Sequence, residues 1–210
     1  MLGLVRSAAV PRASPKTFST VSQMLLPRMI RAGLLCAALV GASAAIAREI
    51  QVVVDARVPP WDPRTNRKLA FGSGDLRPPK IIFDARLFEG ALIRFKATGR
   101  VAWITGGTRN GPNGDPNMIL DRSVAFLPGH YIKNASRALA MGQLVGAFVD
   151  ADGRVVGSPF SVGEEAEVRA PAGATAIALG INDDILADNN GSFSVTVLIP
   201  EAQVTVEPGD

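Results

Sequence analysis

The chain of 210 residues contains one cysteine, one histidine, one tyrosine and two tryptophans, and aromatic residues make up 6% of it. The cysteine, Cys36, lies in an N-terminal stretch read below as a leader. The remainder therefore has no thiol to build a disulfide, a thiolate metal site or a cysteine nucleophile. A single imidazole, His130, excludes a multi-histidine zinc site and leaves few routes to triad chemistry. There is no Gly-x-Ser-x-Gly, no glycine-rich phosphate loop and no second histidine, so the sequence reads as a non-enzyme. Acidic residues are also missing where basic ones collect: residues 1–47 hold Arg6, Arg12, Lys16, Arg28 and Arg31 and no carboxylate. Outside that stretch the 22 basic residues fall to 17 against 19 acidic ones, a net charge of −2 over 163 residues. The high isoelectric point belongs to the leader, and no basic stripe for a nucleic acid remains.

Residues 29–41 form a short apolar run behind Arg28 and Arg31, and Ala45-x-Ala47 follows. A charged start, an apolar centre and an A-x-A end describe a secretory signal, with cleavage expected after Ala47. The expected product, residues 48–210, is secreted or periplasmic, forms a single domain, and has no membrane association after cleavage. The apolar run is too short and too rich in alanine and glycine for a membrane span.

The rest reads as β-structure. Short, largely β-branched segments begin at Ile50, Ala91, Gln143, Val155, Glu165, Ala176 and Ser192. Asp150-Ala-Asp-Gly153 between two of them is a hairpin signal. Strands at regular spacing with Gly, Pro, Asn and Asp between them predict an all-β protein, an antiparallel β-sandwich of galactose-binding-like or jelly-roll type. Two stretches resist strand assignment: the Pro- and Arg-rich segment 58–80, expected to be a surface excursion, and the loop 106–135. Long loops on a compact domain are commonly functional. Asn134-Ala-Ser136 matches a glycosylation sequon, a pattern frequent by chance.

The chemistry concentrates in Gly180-Ile-Asn-Asp-Asp-Ile-Leu-Ala-Asp-Asn-Asn-Gly191. Six side chains bearing carboxylate or carboxamide oxygens lie between Asn182 and Asn190. Three carboxylates crowded together repel unless a cation neutralises them, and Ca2+ takes six to eight oxygen ligands. On composition alone an ordinary Asx-rich turn is the commoner reading.

Asn182-Asp183, a bend, and Asp188-Asn189-Asn190-Gly191-Ser-Phe-Ser-Val together resemble the C-terminal motif of the PA-I-type calcium-dependent galactophilic lectins (LecA-like). The likeness extends to Glu89-Gly90 through Ala97-Thr-Gly99, to Gly111-Pro-Asn-Gly-Asp115, to Leu144-Val-Gly146 and to Ala170-Pro171, covering roughly residues 88–199. The resemblance implies a bound Ca2+ and a carbohydrate partner, galactose-like or another glycan. By position it implies that Asp183 bridges calcium and a sugar hydroxyl, and that Asp188 and Asn189 are the paired ligands. It also implies backbone carbonyl ligands from the Asp184–Ala187 bend, taken as Ala187, and from Trp103. The ligand-contacting set expected is Asp183, Asp188 and Trp61, with Trp61 chosen over Trp103 and Tyr131 as the stacking ring because packing explains it least. The chain departs from the family in a shorter metal loop and in lacking counterparts to the sugar-contacting His and Gln, where a longer 117–140 insertion stands instead. A single shallow sugar site binds weakly, so multivalency, for instance through a homo-oligomer, is expected. The alternative is a secreted interaction module whose calcium only stabilises the fold.

Overall fold

The computed structural model describes residues 47–72, 77–84, 87–120, 126–133 and 139–201. The leader and its Cys36, the sequon at Asn134 and the segment 121–125 of the insertion lie outside these, apart from Ala47.

The described chain is all-β. Ten strands run β1 (Ala47–Asp55), β2 (Lys80–Phe83), β3 (Leu92–Ala102), β4 (Ile119–Leu120), β5 (Leu139–Ala140), β6 (Leu144–Val149), β7 (Val155–Ser161), β8 (Glu165–Arg169), β9 (Ala176–Ile181) and β10 (Asn190–Pro200). They form two four-stranded antiparallel sheets, ordered β1-β10-β3-β8 and β2-β9-β6-β7, and a small β4-β5 ribbon. The sandwich expected from the sequence is the structure found.

The first sheet alternates as a half-buried sheet should. On β10, Phe193, Val195, Val197 and Ile199 are buried and lie beside Ile93, Phe95 and Ala97 of β3 and Val54 of β1 on the sheet face that enters the main core. The intervening positions are outward and mostly polar, with Val53 and Leu198 as apolar exceptions. There Arg94 pairs with Glu167 across the β3–β8 register, Nε to Oε1 2.6 Å. Glu165 and Glu167 give the edge strand β8 the charged, solvated face the sequence suggested, which discourages edge pairing.

The two central strands of the second sheet, β9 and β6, are buried on both faces, which accounts for their unbroken apolar runs. Leu144, Phe148, Ile177, Leu179 and Ile181 enter the main core. Val145, Ala147, Val149, Ala176 and Ala178 face the other way into small satellite clusters. The segment after Val58 supplies part of that cover. Over residues 59–72 it is therefore no surface excursion but a strap laid over the sheet; at Lys80 the chain enters β2, a strand the sequence reading did not assign. The approach is so close that a Cβ on Gly180 would stand 2.1 Å from the Pro59 carbonyl carbon. Only glycine admits the strap there.

The hairpin at Asp150 is a turn, as read from the sequence: Asp150 Oδ1 accepts from the amides of Asp152 and Arg154 at 2.9 and 2.8 Å. Gly153 has φ +76°.

Candidate functional site

The loop joining β9 to β10 spans residues 182–189 and sits where the two sheets exchange the chain. Five of the six oxygen-bearing side chains from Asn182 to Asn190 divide into two groups, Asp184 standing apart from both. Asn182 is a structural tie: its Oδ1 accepts from the Gly129 amide (2.8 Å) and its Nδ2 donates to the Ala140 carbonyl (2.9 Å). Its backbone carbonyl accepts from Gly142 and its amide donates to Gln143. Asn190 points to the other side and accepts at Oδ1 from Arg109 Nη2 (2.9 Å).

Asp183, Asp188 and Asn189 form the second group. Asp183 is 2% exposed and Asn189 3%. Asp183 Oδ1 accepts from the amides of Asp184 (2.7 Å) and Ile185 (3.3 Å). Asn189 Nδ2 donates to the Ala56 carbonyl (2.9 Å). Each residue keeps one further oxygen that is buried and has no donor: Asp183 Oδ2, Asp188 Oδ1 and Asn189 Oδ1. Among the described residues the only other buried unpartnered side-chain polar atom is Arg57 Nε. Three orphaned acceptors thus fall within seven residues, on the three side chains that the sequence singled out. Orphaning a buried acceptor costs about 1–3 kcal/mol, so a native loop holding three calls for a specific cause.

Burial pushes the Asp183 carboxyl up to about 7, against the opposing pull of the Ile185 amide, the Asn189 side chain and the Asp184 amide. Desolvation disfavours the charged form more than these donors favour it. Among the described residues no three His, Cys, Asp or Glu side chains gather as a metal cluster. The loop instead offers two carboxylates and a carboxamide, an all-oxygen set suited to a hard cation.

The exit of β3 lines the loop. Asn190 pairs with Ala102 in the β10–β3 register, which sets Trp103 beside Asn189. Thr105 Oγ1 donates to the Asp188 carbonyl (3.3 Å), and the Val101–Asn110 bridge returns the chain to β3. Trp103 is half-buried; its Nε1–H donates to Asp115 Oδ2 (3.0 Å), and its side chain lies against Gly142. The Asn117 amide, and after it that bond, hold the Asp115 carboxyl below its usual range. Ala187 lies in the 3-10 turn Leu186–Asp188. Ile104 and Ile185 are 43% and 48% exposed on the two segments.

Trp61 is a correction. It is fully buried, edge-on to Phe71 and Tyr131 with centroids at 5.3 and 6.3 Å, and its Nε1–H donates to the Leu69 carbonyl (2.9 Å). The ring has no open face for a sugar, because it is the anchor of the strap over Ala147. His130 is half-buried in the 3-10 turn Pro128–Tyr131, which docks on Asn182 through Gly129. Sequence reasoning missed Thr105 and Arg109. Their only signal is the β3–β10 pairing that brings them to residues more than 80 positions away.

No family model and no curated protein matches the chain. Among solved structures, one described as the EclA N-terminal domain, a PllA-like lectin, is similar to this chain over 71% of its length and 94% of that domain, at 18% identity and a TM-score of 0.40.

Proposed function

We propose that the protein is a secreted or periplasmic carbohydrate-binding protein whose β9–β10 loop holds a calcium ion. The observation that carries the reading is the set of three buried, donorless oxygens on Asp183, Asp188 and Asn189. A divalent cation satisfies three acceptors at once and offsets two carboxylates. The loop also resembles the metal motif of PA-I-type lectins at Asn182-Asp183 and at Asp188-Asn189-Asn190-Gly191, across a shorter bend and with an acid at Asp188 in place of an amide.

Asp183, Asp188 and Asn189 would hold the ion through side chains, with the carbonyls of Ala187 and Trp103 assigned alongside them. Five protein oxygens fall short of the six to eight that Ca2+ takes. When bound, the ion supplies a fixed positive charge on which vicinal sugar hydroxyls replace water. Asp183 and Asp188 would accept hydrogen bonds from those hydroxyls, and the charge-assisted bonds would orient the sugar. Trp103, held by Asp115, takes the place assigned to Trp61 as the ring at the loop.

Thermal unfolding of the purified protein with excess calcium and with chelator tests the ion. We expect a rise of several degrees with calcium, since a ligand that binds only the native state stabilises it by mass action. Asp183→Ala should abolish that rise. An Asp183→Ala protein with the full calcium response would end the assignment. A glycan array run with calcium then separates the two uses of the ion: binding of any glycan supports the lectin reading, and a calcium response with no glycan bound reduces the ion to a structural role.

A further inference from the structure

An edge strand offers its outward N–H and C=O groups to any chain that can pair with them. Three of the four edges of the sandwich are blunted. β2 has four residues and follows Pro78-Pro79. β7 carries Pro159 and a register break against β6. β8 has five residues and presents Glu165 and Glu167. β1 has none of these defences: it runs for nine residues without proline, paired to β10 along its whole length with no register break. Its charges at the start of the strand are spent within this chain. Arg48 donates to Asp84 Oδ2 (3.2 Å), and Glu49 Oε1 accepts from Gln51 Nε2 (3.0 Å). Val53 stands 61% exposed. The direction of each backbone group on β1 follows from its neighbours. Ala56 donates its amide to the Gly191 carbonyl (3.0 Å) in continuation of the β1–β10 register. Such bonds alternate residue by residue in an antiparallel pair, so even-numbered residues face β10 and odd-numbered ones face away. The Asp55 carbonyl accordingly turns outward and accepts from the Val58 amide (3.2 Å). Glu49, Gln51 and Val53 each keep an N–H and a C=O directed outward, without a backbone partner among the described residues.

We propose that β1 pairs antiparallel with β1 of a second copy of this chain, joining the two first sheets into one of eight strands about a two-fold axis at Gln51. A two-fold contact requires a patch that complements itself, and this one does. With Gln51 on the axis, Gln51 meets its own counterpart and Glu49 meets Val53, so every outward group of the three residues is paired. Ile50 meets Val52 on the core face. A register one step further along would set Glu49 against Asp55, like charges directly opposite. One step back would depend on Ala47, the residue before the expected cleavage. The β9–β10 loops of the two copies then lie at opposite ends of the joined sheet, roughly 40 Å apart along the strands at about 3.3 Å per residue. Where the lectin reading holds, that arrangement supplies the bivalency weak sugar sites need; the pairing itself does not rest on that reading.

The test is sedimentation velocity of the purified protein over a wide concentration range, where a dimer is expected. Val53→Glu places a second carboxylate opposite Glu49 at two symmetric contacts and should weaken the dimer about tenfold or more. Adding Glu49→Lys to that variant should restore it, because the facing pair then has opposite charge. Within one chain the two positions are four residues apart, about 13 Å, so the rescue reads a contact between copies. Gln51→Pro removes an outward N–H and no bond to β10, and should dissociate the dimer as well. Far-UV circular dichroism matching the parent shows that each variant folds. A monomer at the highest concentration reached, a dimer indifferent to Val53→Glu and Gln51→Pro, or a loss that Glu49→Lys does not repair overturns the inference. None of these outcomes bears on the calcium response of the loop, so the lectin reading stands or falls separately.

Discussion

At the scale of single residues, the two tryptophans show how differently one side chain is used in one fold. Trp61 is closed in by Phe71, Leu69, Tyr131 and Ala147 and spends its ring N–H on a strap carbonyl. Trp103 stays half-buried and spends its ring N–H on a carboxylate in the Gly-Pro-Asn-Gly-Asp turn. Truncating Trp61 removes the centre of a satellite core, and a buried tryptophan changed to alanine typically costs about 3–5 kcal/mol. Trp61→Ala should therefore lower the denaturant midpoint markedly, while the fraction that remains folded keeps its calcium response. A variant as stable as the parent would mean that the strap does not need its anchor. The contrast also shows the limit of residue-level reading. Trp61 stands between Pro60 and Asp62, surroundings that look like a loop, and what makes it core is the bare outer face of β6 some 85 positions later. Asp183, Asp188 and Asn189 were legible because their whole set lies in one short loop, where sequence distance and spatial distance nearly coincide.

At the scale of elements, legibility followed the length and the alternation of each strand. β3 and β10 are eleven residues each with one polar face, and the pattern announces them. β2 has four residues behind Pro78-Pro79, too short for a period to register, and it exists because β9 offers it a pairing edge. The strap between β1 and β2 depends on a second feature that the sequence hides: Gly180 reads as one more small residue in an apolar run. Its missing Cβ is what lets the Pro59–Pro60 backbone cross the end of β9, since the added atom would meet three backbone atoms within 2.3 Å. Backbone cannot yield as a flexible side chain does, so Gly180→Ala should cost about 1–3 kcal/mol or more. It should also expose Trp61, seen as a red shift of tryptophan emission at a temperature where the parent is native. Because Ile181 donates its amide to the Val58 carbonyl and Asn189 reaches the Ala56 carbonyl, the strap's first residues also brace the candidate loop. The same substitution should therefore weaken calcium affinity even though it touches no ligand.

At the scale of the whole molecule, the loop ties stability to proton and ion concentration together. Asp183 has its folded-state pKa raised from 3.8 to about 7 by burial when no ion is bound. The native state then holds a proton that the unfolded chain releases near pH 4. Asp183 contributes its full share of ion-free stability below that point, and the share is lost as pH climbs through about 7. In chelator, the midpoint of thermal unfolding should fall as pH rises from 4 to 8, after subtraction of the trend shown by Asp183→Asn, which cannot titrate there. Calcium should reverse the slope. Its ligand must be the carboxylate, so binding has to expel the proton below pH 7 and becomes cheaper as pH rises. Calcium affinity should accordingly increase with pH up to about 7 and level off beyond it, with proton release detectable in weakly buffered titrations. A chelated protein whose stability does not fall across this range would show that Asp183 is charged without an ion, and hence that some other group already neutralises it. A falling slope that calcium leaves unchanged would show instead that the buried carboxyl is a proton-holding core residue and not a ligand.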